Sequence, residues 1–125
     1  MKTGQPFIVF SVYSETNKNN SEAHETVRSF LELQKVKKYI ECFGVYKGKR
    51  ERSFIAPDNY EGRWIAENAA KTYNQESILF VDANGRGKLV FSDGTSKEIG
   101  TWRRSYTWEN PESYTEHNGK KYVCS

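Results

Sequence analysis

Glycine-containing turn sequences divide this chain into short β-prone segments. Asn84-Gly85 and Asp93-Gly94 each separate two such segments, and Asn118-Gly119 stands between two more near the end. These pairs favour tight hairpin turns, because their residues tolerate positive φ angles. The pattern therefore predicts mainly antiparallel β structure, with strands at residues 77–82, 87–92 and 95–102 and a hairpin within 113–124.

The first part of the chain predicts three more strands and two helices. The strands are expected at residues 5–13, 38–46 and 50–56, with Lys47-Gly48-Lys49 linking the last two. Ser21 is the predicted cap of the first helix, whose apolar stripe contains Ala23, Val27, Phe30 and Leu31. Asp58 and Glu61 have capping-box spacing at the start of a second helix, from about 59 to 73.

This order predicts an α+β fold: a mostly antiparallel sheet with two helices packed on one face. The length of 125 residues predicts one domain, residues 1–125, in which 109–125 form a terminal hairpin or arm. Apolar residues are only 36% of the chain, but the 14% of aromatic residues compensates, because each buries a large surface.

Composition also limits the partners and the compartment. Two cysteines, Cys42 and Cys124, are too few for a disulfide framework, so free thiols and a cytoplasmic location are expected. No apolar run is long enough to span a membrane, and no signal peptide is predicted. The net charge of +3 is below that of a dedicated nucleic-acid binder, so nucleic acid is not expected as a partner.

The usual catalytic motifs are missing from the sequence. His24 and His117 stand far apart in polar segments, where we expect them to be exposed. There is no metal-ligand spacing, no phosphate-binding loop and no dinucleotide motif. An enzyme with this sequence is therefore expected to use no metal, no cofactor and no histidine base.

Glu51 is the first candidate for a functional residue. Strand alternation places Glu51, Ser53 and Ile55 on one face. In the simpler interpretation, Glu51 forms an ion pair across the hairpin with Lys47 or Lys49. In the functional one, the carboxylate lines a polar pocket beside the Ser53 hydroxyl and accepts the two hydroxyls of a ribose.

Two further segments are candidates because they join secondary-structure elements. One is Gln75-Glu76-Ser77, between the second helix and the next strand; a simple connection is the alternative. The other is Ser11-Val12-Tyr13-Ser14, where the first strand opens into a polar loop. Its backbone groups could hold the carboxylate and ammonium of an amino acid.

The chain resembles the phage-encoded S-adenosylmethionine (SAM) lyases, formerly called SAM hydrolases. Four segments carry the resemblance: the strand Phe7–Tyr13 with its Asn-rich loop and helix, the stretch Tyr46–Phe54 with Glu51, the helix-to-strand passage Ile65–Leu79 through Gln75, and Gly87–Gly94. Order and spacing match over most of the chain, with the last twenty residues weaker.

The resemblance implies a homotrimer with ligand sites between subunits, acting in the host-cell cytoplasm against SAM-dependent restriction and methylation. It implies that the SAM carboxylate attacks its own γ-carbon and expels methylthioadenosine, leaving homoserine lactone. Glu51 is then expected to bind the ribose, with Tyr39 or Tyr46 flanking the sulfonium and the Ser11–Ser14 backbone holding the methionyl end. Ser53 and Gln75 complete the expected substrate-binding set.

Three alternatives remain open from the sequence. Hydrolysis of SAM requires a water and a base, and Glu51 cannot be that base while it binds ribose. A non-catalytic phage protein that sequesters a nucleotide signal could use Glu51 for the ribose and Arg86, Arg103 and Arg104 for phosphates. A weak nucleic-acid binder could use the basic residues Lys35, Lys37, Lys38, Lys47, Lys49, Arg50 and Arg52, although Glu41 and Glu51 interrupt them.

Overall fold

The computed structural model of the chain describes residues 4–34, 38–46 and 48–125. These residues form eight strands and two helices, whose bounds in chain order are β1 (Phe7–Ser11), α1 (Asn20–Leu33), β2 (Ile40–Tyr46), β3 (Lys49–Pro57), α2 (Tyr60–Thr72), β4 (Ser77–Val81), β5 (Arg86–Phe91), β6 (Ser96–Arg104), β7 (Ser113–His117) and β8 (Lys120–Cys124).

The strands close into an antiparallel barrel in the order β1-β3-β2-β7-β8-β6-β5-β4, with β4 paired to β1. The predicted fold class, an α+β arrangement with two helices on one face of a sheet, is therefore wrong. The barrel closes because the β7–β8 hairpin lies in its wall between β2 and β6, pairing with both. Each described strand therefore pairs with two neighbours.

The apolar core lies outside the barrel wall, between the two helices and the outer face of β1, β3 and β4. Full burial of a large apolar side chain contributes roughly 1.5–3 kcal/mol, so this layer is a main source of stability. The buried residues of this core are Ile8, Phe10, Val12, Ala23, Val27, Leu31, Phe54, Ala56, Ile65, Ala66, Ala69 and Ile78.

The alternate residues of the same strands face the inside of the barrel. Phe7, for example, contacts Trp102 edge-on, with ring centroids 5.1 Å apart. Trp102 in turn stacks on Tyr122 at 5.4 Å. Contact between rings from β1, β6 and β8 identifies this as the inner face.

Both helices begin beside the residues predicted to cap them. Asn19, not Ser21, caps α1, and its side chain accepts a hydrogen bond from the Glu22 amide at 3.1 Å. Asn59, not Asp58, caps α2 by accepting from the Gly62 amide at 2.9 Å.

Two other local predictions have different outcomes. Phe30, predicted on the apolar stripe of α1, is 45% exposed. Three basic residues of the nucleic-acid alternative, Lys35, Lys37 and the turn residue Lys47, lie outside the described residues.

Candidate functional site

Glu51 lies on the inner face of the barrel, in register with residues of the next two strands. Its partner on β2 is Gly44, and Gly44 pairs with Thr115 on β7. Two residues further along β3, Ser53 lies between Ser11 of β1 and Cys42 of β2. Residues opposed in register share a face, so these side chains form one polar surface with a glycine opposite the carboxylate.

The Glu51 carboxylate is half-buried, and no described residue bonds it. Burial raises the pKa of Glu51, and nearby Lys49 lowers it only in part. Lys49 itself bonds Glu15, with Nζ and Oε1 2.8 Å apart. Within the described part of the chain, no donor or cation bonds the Glu51 side chain, and Lys47, the other expected ion-pair partner, lies outside the described residues.

The two serines beside Glu51 bond the backbone. Ser11 Oγ donates to the Arg52 carbonyl at 3.0 Å and accepts from the Tyr13 amide at 3.1 Å. The buried Ser53 hydroxyl donates to the Glu51 carbonyl at 3.4 Å. These bonds fix β1 against β3 where Glu51 projects from the strand.

Tyr13 and Gln75 contact each other at the junction of β1 and the end of α2. Gln75 Nε2 donates to the Tyr13 carbonyl at 2.8 Å and to the Tyr73 carbonyl at 3.3 Å. The Gln75 amide therefore bonds backbone carbonyls on both sides of the junction. Gln75 also lines a cavity of about 220 Å³ between α2 and β4–β5. A neighbouring cavity of about 290 Å³ shares Glu67 with it, and Glu51 lines neither.

The two tyrosines expected near the sulfonium lie on opposite faces of the sheet. Tyr46 pairs with Lys49 in register, two positions from Gly44, and so shares the face of Glu51. Tyr39 packs against the helix-side core near Phe54 and donates from its hydroxyl to Glu32. Of the two, Tyr46 is the one that the structure brings to the Glu51 face.

Behind β3, a buried histidine belongs to a network of charged residues. His24 was expected to be exposed, but it is 0% exposed and stacks on Phe54 with ring centroids 4.1 Å apart. Its Nε2 lies 2.7 Å from Glu41 Oε1. His117, the other predicted exposed histidine, is half-buried. The expectation of exposure is wrong for both.

Candidate metal ligands in this network are His24, Glu25 and Glu41, whose ligand atoms all lie within 4.8 Å of one another. Arg52, however, bonds both carboxylates, Glu25 at 3.1 Å and Glu41 at 3.3 Å. Because a guanidinium already supplies the positive charge that these carboxylates require, we interpret the cluster as an ion-pair network.

Register also reveals inner-face residues that sequence reasoning did not place near Glu51. Thr115, Tyr122 and Arg104 follow one another in register around the wall from Gly44. Strand alternation indicates which residues of a strand share a face, but the strand order needed to join these residues was not predictable from local patterns.

No helix among residues 4–34, 38–46 and 48–125 is long and apolar enough to cross a membrane.

The fold and the site define a small antiparallel barrel whose inner face carries a half-buried carboxylate that no described side chain bonds. The chain matches the sequence model of the S-Adenosylmethionine lyase family over residues 11–125. It therefore belongs to that family, as the resemblance predicted. A comparison with curated proteins finds no match.

Proposed function

We propose that this protein cleaves SAM to methylthioadenosine and homoserine lactone. One carboxylate oxygen of SAM forms a bond to its own γ-carbon, and the bond from that carbon to sulfur breaks. The electron pair goes to sulfur, which becomes a neutral thioether. The substrate supplies both nucleophile and leaving group, so no protein nucleophile and no proton transfer are needed.

Glu51 is proposed to bind the ribose of SAM and is the residue on which the proposal depends. Its carboxylate is half-buried, bonds no other described side chain and faces a glycine across the hairpin. A carboxylate can accept two hydroxyl hydrogen bonds at once, which suits a vicinal diol. Partial burial strengthens such bonds, because less water competes for the oxygens.

The contribution of the protein to the rate is then orientation and exclusion of water. Holding reacting groups in attack geometry is worth roughly 7–11 kcal/mol in favourable cases. Anchoring the ribose at Glu51 fixes one end of a flexible substrate. Tyr46 shares the Glu51 face and is proposed to flank the sulfonium through a cation–π contact.

The Glu51→Gln variant tests this assignment. Loss of a charged hydrogen-bond acceptor costs about 1.5–3 kcal/mol, so we expect SAM turnover to fall about 10- to 100-fold. Glu98→Gln is the matched control, because Glu98 is exposed and pairs with Lys88 on another part of the barrel wall. Unchanged turnover of Glu51→Gln would contradict the assignment.

The Glu51→Gln substitution is expected to lower turnover without lowering the stability of the fold. Burial raises the pKa of Glu51, so folding disfavours the charged carboxylate and this residue destabilises the fold as the pH rises through its pKa. Glu51→Gln should therefore unfold at the same temperature as the wild type or slightly higher at neutral pH. A clear loss of thermal stability would indicate a structural role instead.

Reaction in ¹⁸O-labelled water separates lactone formation from hydrolysis. Lactone trapped before it opens should contain no label, because its ring oxygen comes from the SAM carboxylate. Direct hydrolysis would place label in the side-chain hydroxyl of homoserine. That result would exclude the lyase mechanism, while binding without turnover would favour a protein that sequesters a nucleotide.

The proposal includes a metal-independent reaction, a homotrimer with sites between subunits and a phage counter-defence role in the host cytoplasm. The trimer and the counter-defence role come from the family resemblance, and metal independence comes from the lack of metal-ligand spacing in the sequence. Metal independence is tested by adding a chelator such as EDTA to the purified enzyme, which should leave turnover unchanged. Inhibition that is reversed by added metal would contradict it.

A further inference from the structure

Arg104 ends β6 on the inner face that carries Glu51. A continuous row of register pairs joins the two residues across five strands: Glu51 with Gly44, Gly44 with Thr115, Thr115 with Tyr122, and Tyr122 with Arg104. Because paired residues share a face, Glu51 and Arg104 project from the same side of the wall.

Neighbouring residues of β6 support this orientation independently. Trp102, two positions before Arg104, contacts Phe7 and Tyr122 on the inner face. Arg103, between them, bonds Glu109 through two contacts of 2.8 Å and pairs in register with Val123. Strand alternation therefore places Arg104 with Trp102, on the face opposite Arg103.

The Arg104 guanidinium is exposed and lacks an acidic partner among the described residues. Most other arginines of the chain have one. Those that bond a carboxylate are Arg28, Arg50, Arg52, Arg63 and Arg103. Arg86 is also exposed and, like Arg104, bonds no carboxylate within the described ranges.

We propose that Arg104 binds the carboxylate at the amino-acid end of the substrate. This inference rests on the proposed function, since it assumes that the ligand joins a ribose to an amino acid. A guanidinium holds a carboxylate through two parallel hydrogen bonds, which would orient the attacking oxygen.

The spacing of the strands gives the path that separates the two residues. Adjacent strands lie about 4.8 Å apart, so the four strand steps from Glu51 to Arg104 measure about 19 Å along the wall. The wall is curved and closed, so the straight-line distance is shorter, and a ligand that contacts both residues must cross the inner face between them.

Binding of two ligands that differ in the carboxylate tests the proposal. S-adenosylhomocysteine contains the ribose and the amino-acid carboxylate, whereas methylthioadenosine contains the ribose alone. By isothermal titration calorimetry, Arg104→Gln should weaken S-adenosylhomocysteine about 10- to 100-fold and change methylthioadenosine less than about twofold. Glu51→Gln should weaken both ligands, and Arg86→Gln, the matched control, neither.

The remaining outcomes are also decisive. Equal weakening of both ligands by Arg104→Gln, or no effect on S-adenosylhomocysteine, would overturn the role of Arg104 and leave the proposed function intact. Failure of the wild type to bind either ligand would overturn both. If Arg104→Gln does not fold, Arg104→Lys replaces it, and selective weakening of S-adenosylhomocysteine is again the expected result because lysine lacks the planar fork.

Discussion

At the scale of single residues, His24 is held neutral in the fold. A carboxylate can only accept, so the neutral ring carries its proton on Nε2 and donates to Glu41. Nδ1 is then a buried acceptor without a partner among the described residues. Burial, the largest effect, lowers the pKa of His24; the bond to Glu41 opposes this, and the charge of Arg52 lowers the pKa further.

This lowered pKa predicts a loss of stability in mild acid. The unfolded chain takes up a proton at His24 near pH 6.5, while the folded chain does so only at lower pH. The contribution of His24 is therefore complete above about pH 6.5 and is lost as the pH falls through the folded pKa. Urea unfolding at about pH 7.5 and 5.5 should show this decrease in the wild type and in His117→Gln, and a smaller decrease in His24→Gln. An equal decrease in the free energy of unfolding in all three proteins would contradict this prediction.

The two thiols are predicted to be unreactive in the folded protein. Burial raises the pKa of Cys42 to about 12 and that of Cys124 to about 11. Because the thiolate is the reactive species, a thiol reagent at neutral pH should label the native protein slowly. After denaturation, both free cysteines should react rapidly. Rapid labelling before denaturation would show that the barrel opens readily.

The strand face on which a residue lies was more predictable than the residues that surround it in the fold. Alternation along β3 placed Glu51 with Ser53 and away from Phe54, and the register pairs agree. Burial of His24 was missed because most residues near it in sequence, such as Glu22, Glu25 and Thr26, are polar. The groups that bury and bond it, Phe54 and Glu41, come from strands distant in sequence.

At the scale of elements, Gly62 shows why helix propensity alone misleads. This buried glycine lies in the first turn of α2, and a Cβ at this position would lie 2.1 Å from the Pro57 carbonyl oxygen. Gly→Ala within a helix normally stabilises by about 1 kcal/mol. Here the clash reverses the sign, and we expect Gly62→Ala to lower the free energy of unfolding by about 1–3 kcal/mol.

Chemical denaturation measures this change, with Asn68→Ala as the control on the same helix. Asn68 is exposed, so its replacement tests propensity without a clash and should leave stability unchanged or slightly raised. A Gly62→Ala variant as stable as the wild type would show that α2 can shift away from the end of β3.

The existence of the elements was largely predictable, and their exact starts were not. The α2 prediction, about 59 to 73, differs little from Tyr60–Thr72, because periodicity defines the middle of a helix. The caps were displaced by one or two residues because both segments offer several capping side chains close together. Asp58, for example, bonds Arg63 instead of capping the helix.

At the scale of the whole molecule, closure of the barrel was beyond local sequence patterns. Hairpins such as β4–β5 join neighbouring segments, and the turn residues between the segments predict them. The pairs that close the barrel, β2 with β7 and β1 with β4, join segments separated by roughly 70 residues. Turn signals carry no information about such pairs, so the terminal hairpin was predicted without its place in the barrel wall.

The proposed trimer predicts an interface that covers part of the surface. Large apolar side chains that such an interface could cover include Leu33, Tyr60 and Trp108, which are 74%, 81% and 78% exposed. We expect light scattering at micromolar concentration to give three times the mass of the chain. A monomer would contradict the proposal of sites between subunits.

Mixing two impaired variants tests whether one subunit or two supply Glu51 and Arg104 to each site of such a trimer. Glu51 and Arg104 face the inside of the same barrel, so each pocket is expected to take both from one chain, with a neighbour closing the mouth. After subunit exchange between Glu51→Gln and Arg104→Gln, every pocket would still contain one altered residue, and SAM turnover should not exceed the average of the two variants. Exchange of either variant with the wild type is the control and should reduce turnover in proportion to dilution. Turnover restored well above that average would show that neighbouring chains supply the two residues, since only then can some pockets contain both in native form.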